Sequence, residues 1–202
     1  MESIKFIQEL QKNNLKIFTL ADVQKLLDTR NTNTAYKFIQ RLIKKKVVQK
    51  LKNGLYCYNI ESLDDFQIAN FLYSPSYISV EAALNFYGIL SQFPYTITSV
   101  TPKKSKKFVF NNKVFEYIHF DPKYFYGYTK VKNFIIANKE KALFDTLYLV
   151  SKGIRKISLD ELDLSDLDRK IFYTYIEKCS FKPLKKIAEK ILCFLNKLNE
   201  SH

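Results

Sequence analysis

The sequence predicts an α+β fold, an N-terminal winged helix-turn-helix followed by a mixed α+β domain with C-terminal helices. Three observations predict it. A capped helix, a short polar turn and a second, basic helix run through residues 19–45. Strand-like runs then flank Asn53-Gly54, at residues 47–52 and 55–60. Further on, β-like runs at 96–101, 107–110, 113–120 and 134–137 stand between helical stretches. The division expected from this order is a DNA-binding domain over residues 1–60 and an α+β domain over 61–202.

The first helix, from Ser3 to about Asn13, places Ile4, Ile7 and Leu10 on one stripe with Phe6 beside it. Residues 16–18 read as extended. Thr19 is the expected N-cap of a helix over 20–28, with Asp22 three residues on as a capping-box variant. That helix buries Leu20, Val23, Leu26 and Leu27. Thr29-Arg30-Asn31 is turn chemistry, and Thr32 or Asn33 is expected to cap the next helix.

The next helix, to about Lys45, carries the most information. Ala35, Phe38, Ile39, Leu42 and Ile43 recur at helical spacing and pack inward. The opposite face presents Asn33, Tyr36, Lys37, Gln40, Arg41 and Lys44. Amide side chains can bond adenine in two places, Arg and Lys read guanine or neutralise phosphate, and Tyr reaches phosphate. Asn33, Lys37 and Gln40 are therefore expected to read bases, because the N-terminal part of a recognition helix approaches them. Arg41, Lys44 and Lys45 are expected on phosphates, with Thr32 and Tyr36 completing the interface. A solvated helix face is the plainer alternative, and the preceding capped helix and following hairpin weigh against it. Asn53-Gly54 favours a type I′ turn, with Lys50 and Lys52 on the wing beside the minor groove.

Charge is concentrated on this segment. Its first sixty residues hold 12 Lys/Arg against 4 Asp/Glu, a net of +8 within a whole-chain charge of +13. A basic balance implies an anionic partner, and its concentration is better evidence than its total in a chain rich in Lys, Asn, Ile, Phe and Tyr. Hydrophobic residues make up 47% of the chain, enough for packed cores, so global disorder is excluded. The chain shows no internal repeat. No apolar run approaches the length of a membrane span, and the N-terminus reads as an amphipathic helix and not a signal peptide, so a cytoplasmic location is expected. Cys57, Cys179 and Cys193 make no zinc or redox spacing and read as small buried hydrophobes.

In the remaining chain a helix opens at Glu61-Ser62-Leu63-Asp64-Asp65 and runs to about Tyr73, where Ser74-Pro75 ends it. Residues 77–79 are extended and 80–88 helical, with Gly88 as a C-cap. Asn111-Asn112 is a credible hairpin turn. Residues 138–151 are helical, stopped by Gly153, and helices over 166–178 and 183–199 follow, the last begun by Pro183.

Here the chain resembles the AbiEi-type antitoxins. The segments that carry the resemblance are Tyr77-Ile78-Ser79-Val80-Glu81-Ala82-Ala83-Leu84-Asn85-Phe86-Tyr87-Gly88, then Thr96-Ile97-Thr98-Ser99-Val100-Thr101 with basic Lys103-Lys104-Ser105-Lys106-Lys107 after it. Phe125-Tyr126-Gly127-Tyr128 and Ile136-Ala137-Asn138-Lys139-Glu140-Lys141-Ala142-Leu143-Phe144-Asp145 complete it. With the N-terminal module it spans roughly residues 1–150, and the tail after Ile154 matches nothing. Lys139 departs from the pattern, in which Pro often precedes the Glu-Lys-Ala-Leu segment. The resemblance implies a transcriptional repressor that binds inverted repeats in its own promoter. It also implies a second domain that counteracts a cognate AbiEii-type nucleotidyltransferase toxin.

Catalytic chemistry is not expected. Glu140 and Asp145 stand about 140° apart on a helix and do not share a narrow face. Lys141 and Asp145, at i and i+4, read as a modest surface pair. His119 lies in an aromatic run, where it reads as packed or half-exposed, and His202 at the terminus; neither joins a cluster of metal-ligand spacing. There is no phosphate-binding glycine loop and no nucleophile elbow. No cofactor or metal is expected. The Tyr/Phe-rich run from Phe108 to Tyr128 reads as strand core, with stacking on single-stranded nucleic acid as the lesser alternative. Lys103, Lys104, Lys106 and Lys107 read either as a solvated loop or as further phosphate contacts. The expected partners are double-stranded operator DNA with an inverted repeat, bound by two protomers, and a nucleotidyltransferase toxin. A winged-helix regulator with no toxin partner, its second domain serving assembly or ligand sensing, is the alternative. A protein-interaction module is a further one.

Overall fold

The computed structural model describes residues 3–200. It is an α+β protein of two compact units, the first ending at Leu72 and the second beginning at Tyr73. The division falls twelve residues after the one expected, because the helix that follows the hairpin belongs to the first unit.

The first unit runs α1 (Ser3–Lys12), β1 (Ile17–Thr19), α2 (Leu20–Leu26), α3 (Thr32–Lys44), β2 (Gln49–Lys52), β3 (Leu55–Cys57) and α4 (Asp65–Leu72). Its three strands form an antiparallel sheet in the order β1-β3-β2. The core is Phe6 and Leu10 from α1, Phe18, Val23, then Ala35, Phe38, Ile39 and Leu42 from α3, closed by Val48, Tyr56 and Tyr58. Phe6 packs edge-on against both Phe18 and Phe38, at ring-centroid distances of 5.9 and 5.1 Å. The inward spacing on α3 thus meets a partner on every turn. Fully burying side chains of this size contributes roughly 1.5–3 kcal/mol each.

Local chemistry sets the boundaries. Thr19 and Asp22 form a reciprocal capping box, the Thr19 N–H donating to Asp22 Oδ2 at 2.8 Å and the Asp22 N–H to Thr19 Oγ1 at 3.3 Å. Helix α2 ends at Leu26, short of the expected 28, because Asp28 turns left-handed (φ 50°). The N-cap of α3 is Asn31, not Thr32 or Asn33. Its Oδ1 accepts from the N–H groups of Asn33 (2.9 Å) and Thr34 (3.3 Å), so an amide first assigned to the turn begins the helix.

The hairpin also differs in detail. A type I′ turn needs positive φ at both central residues, but of Asn53 and Gly54 only Gly54 has it (+77°). The register of β2 against β3 shifts between Lys50 and Lys52, and this bulge supplies the twist instead. Where one helix was expected from residue 61, a short 3-10 turn (Ile60–Ser62) precedes α4.

The second unit runs β4 (Tyr77–Ile78), α5 (Val80–Phe86), β5 (Thr96–Thr101), β6 (Lys106–Phe110), β7 (Lys113–His119), β8 (Tyr128–Val131), β9 (Phe134–Ala137), α6 (Lys139–Ser151), α7 (Arg169–Glu177) and α8 (Lys182–Glu200). Its mixed sheet has the order β6-β7-β5-β4-β9-β8, with β5–β7 and β4–β9 parallel and the other pairs antiparallel. Asn111 and Asn112 both have positive φ (47° and 59°), so the Asn-Asn turn joins β6 to β7 as a type I′ hairpin. Strand β8 was not anticipated; only one residue of it is strongly apolar.

Helix α6 lies at the centre, against α5, α7, α8 and β9. Every residue from Glu140 to Leu149 is buried. Lys141 and Asp145, expected as a surface pair, are wholly buried and ion-paired. Asp145 Oδ2 also accepts from Ser79 Oγ (2.7 Å) and the Tyr77 hydroxyl (3.0 Å), and Lys141 Nζ donates to the Tyr77 hydroxyl (3.1 Å). The rings of Tyr77, Phe120, Tyr126 and Phe144 surround the ammonium at 4.9–5.6 Å. Burial pushes the Lys141 ammonium down and the Asp145 carboxyl up from their ordinary values, and mutual attraction opposes both shifts. Glu140 turns elsewhere, its Oε1 accepting from the Asp168 N–H at 3.1 Å. Beside this cluster Gly127 (φ +78°) comes so close that a Cβ there would lie 2.6 Å from the Tyr175 hydroxyl and 3.0 Å from Lys141 Cγ. Val80, at the start of α5, is a buried β-branched residue with φ 57°.

Candidate nucleic-acid interface

The outward face of α3 is built by its inward one. Ala35, Phe38, Ile39 and Leu42 fix the helix on the core and leave the opposite side to solvent. Thr34, Tyr36, Lys37, Gln40, Arg41 and Lys44 line a shallow depression of about 570 Å³ on that side. Lys37, Arg41 and Lys44 are exposed and Gln40 half-buried. The Arg41 guanidinium stands 5.7 Å from the centre of the Phe38 ring, which steadies it while its charge faces outward. Tyr36 is 48% exposed.

Residues at the two ends of the helix are placed differently. Thr32 is exposed, but its hydroxyl accepts from Gln24 Nε2 (3.4 Å), and the same amide nitrogen donates to the Arg30 carbonyl (3.2 Å), tying α2 to the turn. Asn33 is exposed and does not line the depression. Lys45 is the C-cap, so with Lys44 and Lys46 it puts three exposed cations at the end of the helix that carries partial negative charge. Thr34 was missed in the sequence. Its signal was spacing, three residues before Lys37 and seven before Arg41.

On the hairpin, Lys50 is exposed. Lys52 is half-buried, and its Nζ donates to the Leu72 carbonyl at the end of α4 (2.6 Å). That amine links the hairpin to α4.

The second lysine set lies in the other unit. Lys103, Lys104, Lys106 and Lys107 are all exposed. Lys103 Nζ donates to the Ser74 carbonyl (2.6 Å), and Lys103 and Lys106 sit over the Tyr73 ring at 5.5 and 5.8 Å. Lys107 pairs with Glu116 at 3.0 Å. His119, expected packed or half-exposed, is exposed. Its Nδ1 stands 2.9 Å from the Lys103 carbonyl oxygen, and its N–H donates to Ser105 Oγ. Of the aromatic run, Phe115, Tyr117, Phe120 and Tyr124 are buried.

The same unit holds a polar cleft of about 380 Å³, lined by Glu81, Thr96, Thr98, Lys107, Glu116 and Arg155, with Pro94 and Tyr95 also on its wall. Arg155 bridges the two carboxylates, 3.2 Å from Glu81 Oε1 and hydrogen-bonded to Glu116 Oε2.

Cys57 and Cys179 are buried free thiols; the side chain of Cys193 and all of His202 lie outside the described residues. Burial pushes the Cys57 thiol up to about 11. Among the described residues no helix is long and apolar enough to cross a membrane, and no group of three or more His, Cys, Asp or Glu is placed to hold a metal ion. Comparison with known protein families and with curated proteins finds no match to this chain.

Proposed function

We propose that the first unit is a winged helix-turn-helix that binds operator DNA, with α3 as the helix that enters the major groove. The observation that carries the reading is the face of α3: Tyr36, Lys37, Gln40, Arg41 and Lys44 stand together on the side away from the core. Gln40 and Lys37 have the chemistry to read base edges, and Arg41, Lys44 and Lys45 to neutralise phosphates. One such helix reads few bases, so two protomers occupy an inverted repeat. Bound at a promoter, the protein represses by occupancy. The AbiEi-type resemblance extends this to a cytoplasmic antitoxin that controls its own promoter and counteracts a nucleotidyltransferase toxin of the AbiEii type.

Binding of the full chain to its own upstream region, against a scrambled duplex of equal length, tests the first part. Lys37→Ala with Gln40→Ala should weaken the upstream duplex more than the scrambled one; equal loss on both removes the base-reading assignment. Co-expression with the adjacent reading frame tests the second part. The doubly substituted chain should lose repression and still restore growth. A second reading keeps the DNA-binding unit but makes the other a ligand sensor, and the polar cleft around Arg155 favours it.

A further inference from the structure

We infer that Thr34 is a specificity-determining residue of α3, reading thymine through its methyl group; the inference rests on the DNA-binding reading above. Three observations lead to it. Thr34 is exposed in the first turn of α3, the part of a recognition helix that comes nearest the bases. It lines the same depression as Lys37 and Arg41, one and two turns further along, so it shares a row with two cations that can anchor on the backbone. Its local roles are already filled. The N–H is held by Asn31 Oδ1, while the neighbouring threonine, Thr32, has its hydroxyl engaged by Gln24. The side chain of Thr34 is therefore available outward, and the hydroxyl of Thr32, though exposed, is engaged by Gln24.

The chemistry narrows the ligand. In the major groove a thymine shows one acceptor, O4, and the C5-methyl, the only methyl group an unmodified base presents there. A threonine methyl meets it by apolar contact. Tyr36, Lys37 and Arg41 line the same depression, and the ring and methylene stems of such side chains supply apolar surface beside the contact. Asn33, whose amide has the chemistry to read adenine, is outside this lining. The base expected opposite the first turn is thus thymine.

The test measures binding of three full-length proteins, wild type, Thr34→Ser and Thr34→Val, at one fixed salt concentration. Each is titrated with the chain's own upstream region, with the same duplex carrying deoxyuridine for thymine, and with a scrambled duplex. Serine keeps the hydroxyl and loses the methyl; valine does the reverse. A methyl contact predicts that Thr34→Ser binds the thymine duplex about three- to tenfold more weakly, while Thr34→Val stays within about twofold. Deoxyuridine should weaken the wild type by a similar factor and leave Thr34→Ser unchanged. Equal loss from deoxyuridine in wild type and Thr34→Ser overturns the inference, because thymine is then read elsewhere. Loss confined to Thr34→Val also overturns it, since the hydroxyl is then the contact. If wild type fails to prefer its upstream region over the scrambled duplex, the DNA-binding reading falls first and takes this one with it.

Discussion

Lys141 and Asp145 are ion-paired one turn apart on α6 with neither side chain reached by solvent. Taking two charges out of water costs several kcal/mol each, and their attraction offsets this only when the leftover hydrogen-bonding capacity is satisfied. Ser79 and Tyr77 supply that satisfaction on the carboxylate side, and four rings close over the ammonium. Lys141→Met or Asp145→Leu alone should therefore cost about 3–5 kcal/mol, by leaving an uncompensated buried charge. The double variant should cost clearly less than the two singles together. Urea unfolding of the four proteins checks this, and additive losses would contradict it.

Val80 tests backbone strain. Its left-handed φ costs roughly 1–2 kcal/mol for a residue with a Cβ, a cost that glycine escapes. Both Val80→Ala and Val80→Gly lose the buried side chain and should destabilise. The order between them is the informative part. In an ordinary helix glycine is the worse of the two by up to about 1 kcal/mol. Here Val80→Gly should be at least as stable as Val80→Ala, and thermal unfolding of the pair decides.

The lysines divide by what they touch. Lys44 and Lys45 are both exposed at the C-terminal end of α3, so replacing both with Ala should flatten the log–log salt dependence of duplex binding by roughly two units. Lys52 holds the Leu72 carbonyl. Lys52→Met should leave the salt slope unchanged and cost about 1.5–3 kcal/mol of stability, the usual net worth of a hydrogen bond to a charged group. A flattened slope for Lys52→Met would return that residue to the phosphate set.

Cys57 supplies a pH dependence. Its thiol is pushed up to about 11 from 9.0, so the folded state keeps a proton that the unfolded chain releases. The contribution to stability is complete below about 9 and is lost as pH climbs through about 11. In a Cys179→Ser, Cys193→Ser background, alkylation of the native protein should stay slow through pH 9. Rapid labelling there would show that the thiol is open to solvent.

How much of this could be read beforehand depends on the range of the interaction involved. The α3 core face, the Thr19–Asp22 capping box and the Asn111-Asn112 turn each arise within a few residues, and periodicity or turn chemistry exposes them. The outward residues Tyr36, Lys37, Gln40, Arg41 and Lys44 followed from the same periodicity, and Thr34 did not. The fate of Lys141 did not, because burial of an i, i+4 pair depends on Tyr77 and Ser79, more than sixty residues away. Lys52 looked like a wing cation for the same reason: its partner sits at the end of a later helix. The cap of α3 was misplaced by one or two residues among Asn31, Thr32 and Asn33, all of which have capping side chains. Only the tertiary position of the helix selects among them.

Position 127 has a consequence for how this chain tolerates change. A methyl placed there would act as a wedge between the α7 tyrosine and the stem of the enclosed lysine. Even alanine would have to displace an aromatic ring to fit, and the backbone angle adds a second objection to any L-residue. A library randomised at this one codon and selected for soluble, protease-resistant protein should return glycine almost alone. The same library at Gly54, where no atom stands in the way, should return asparagine and aspartate as well.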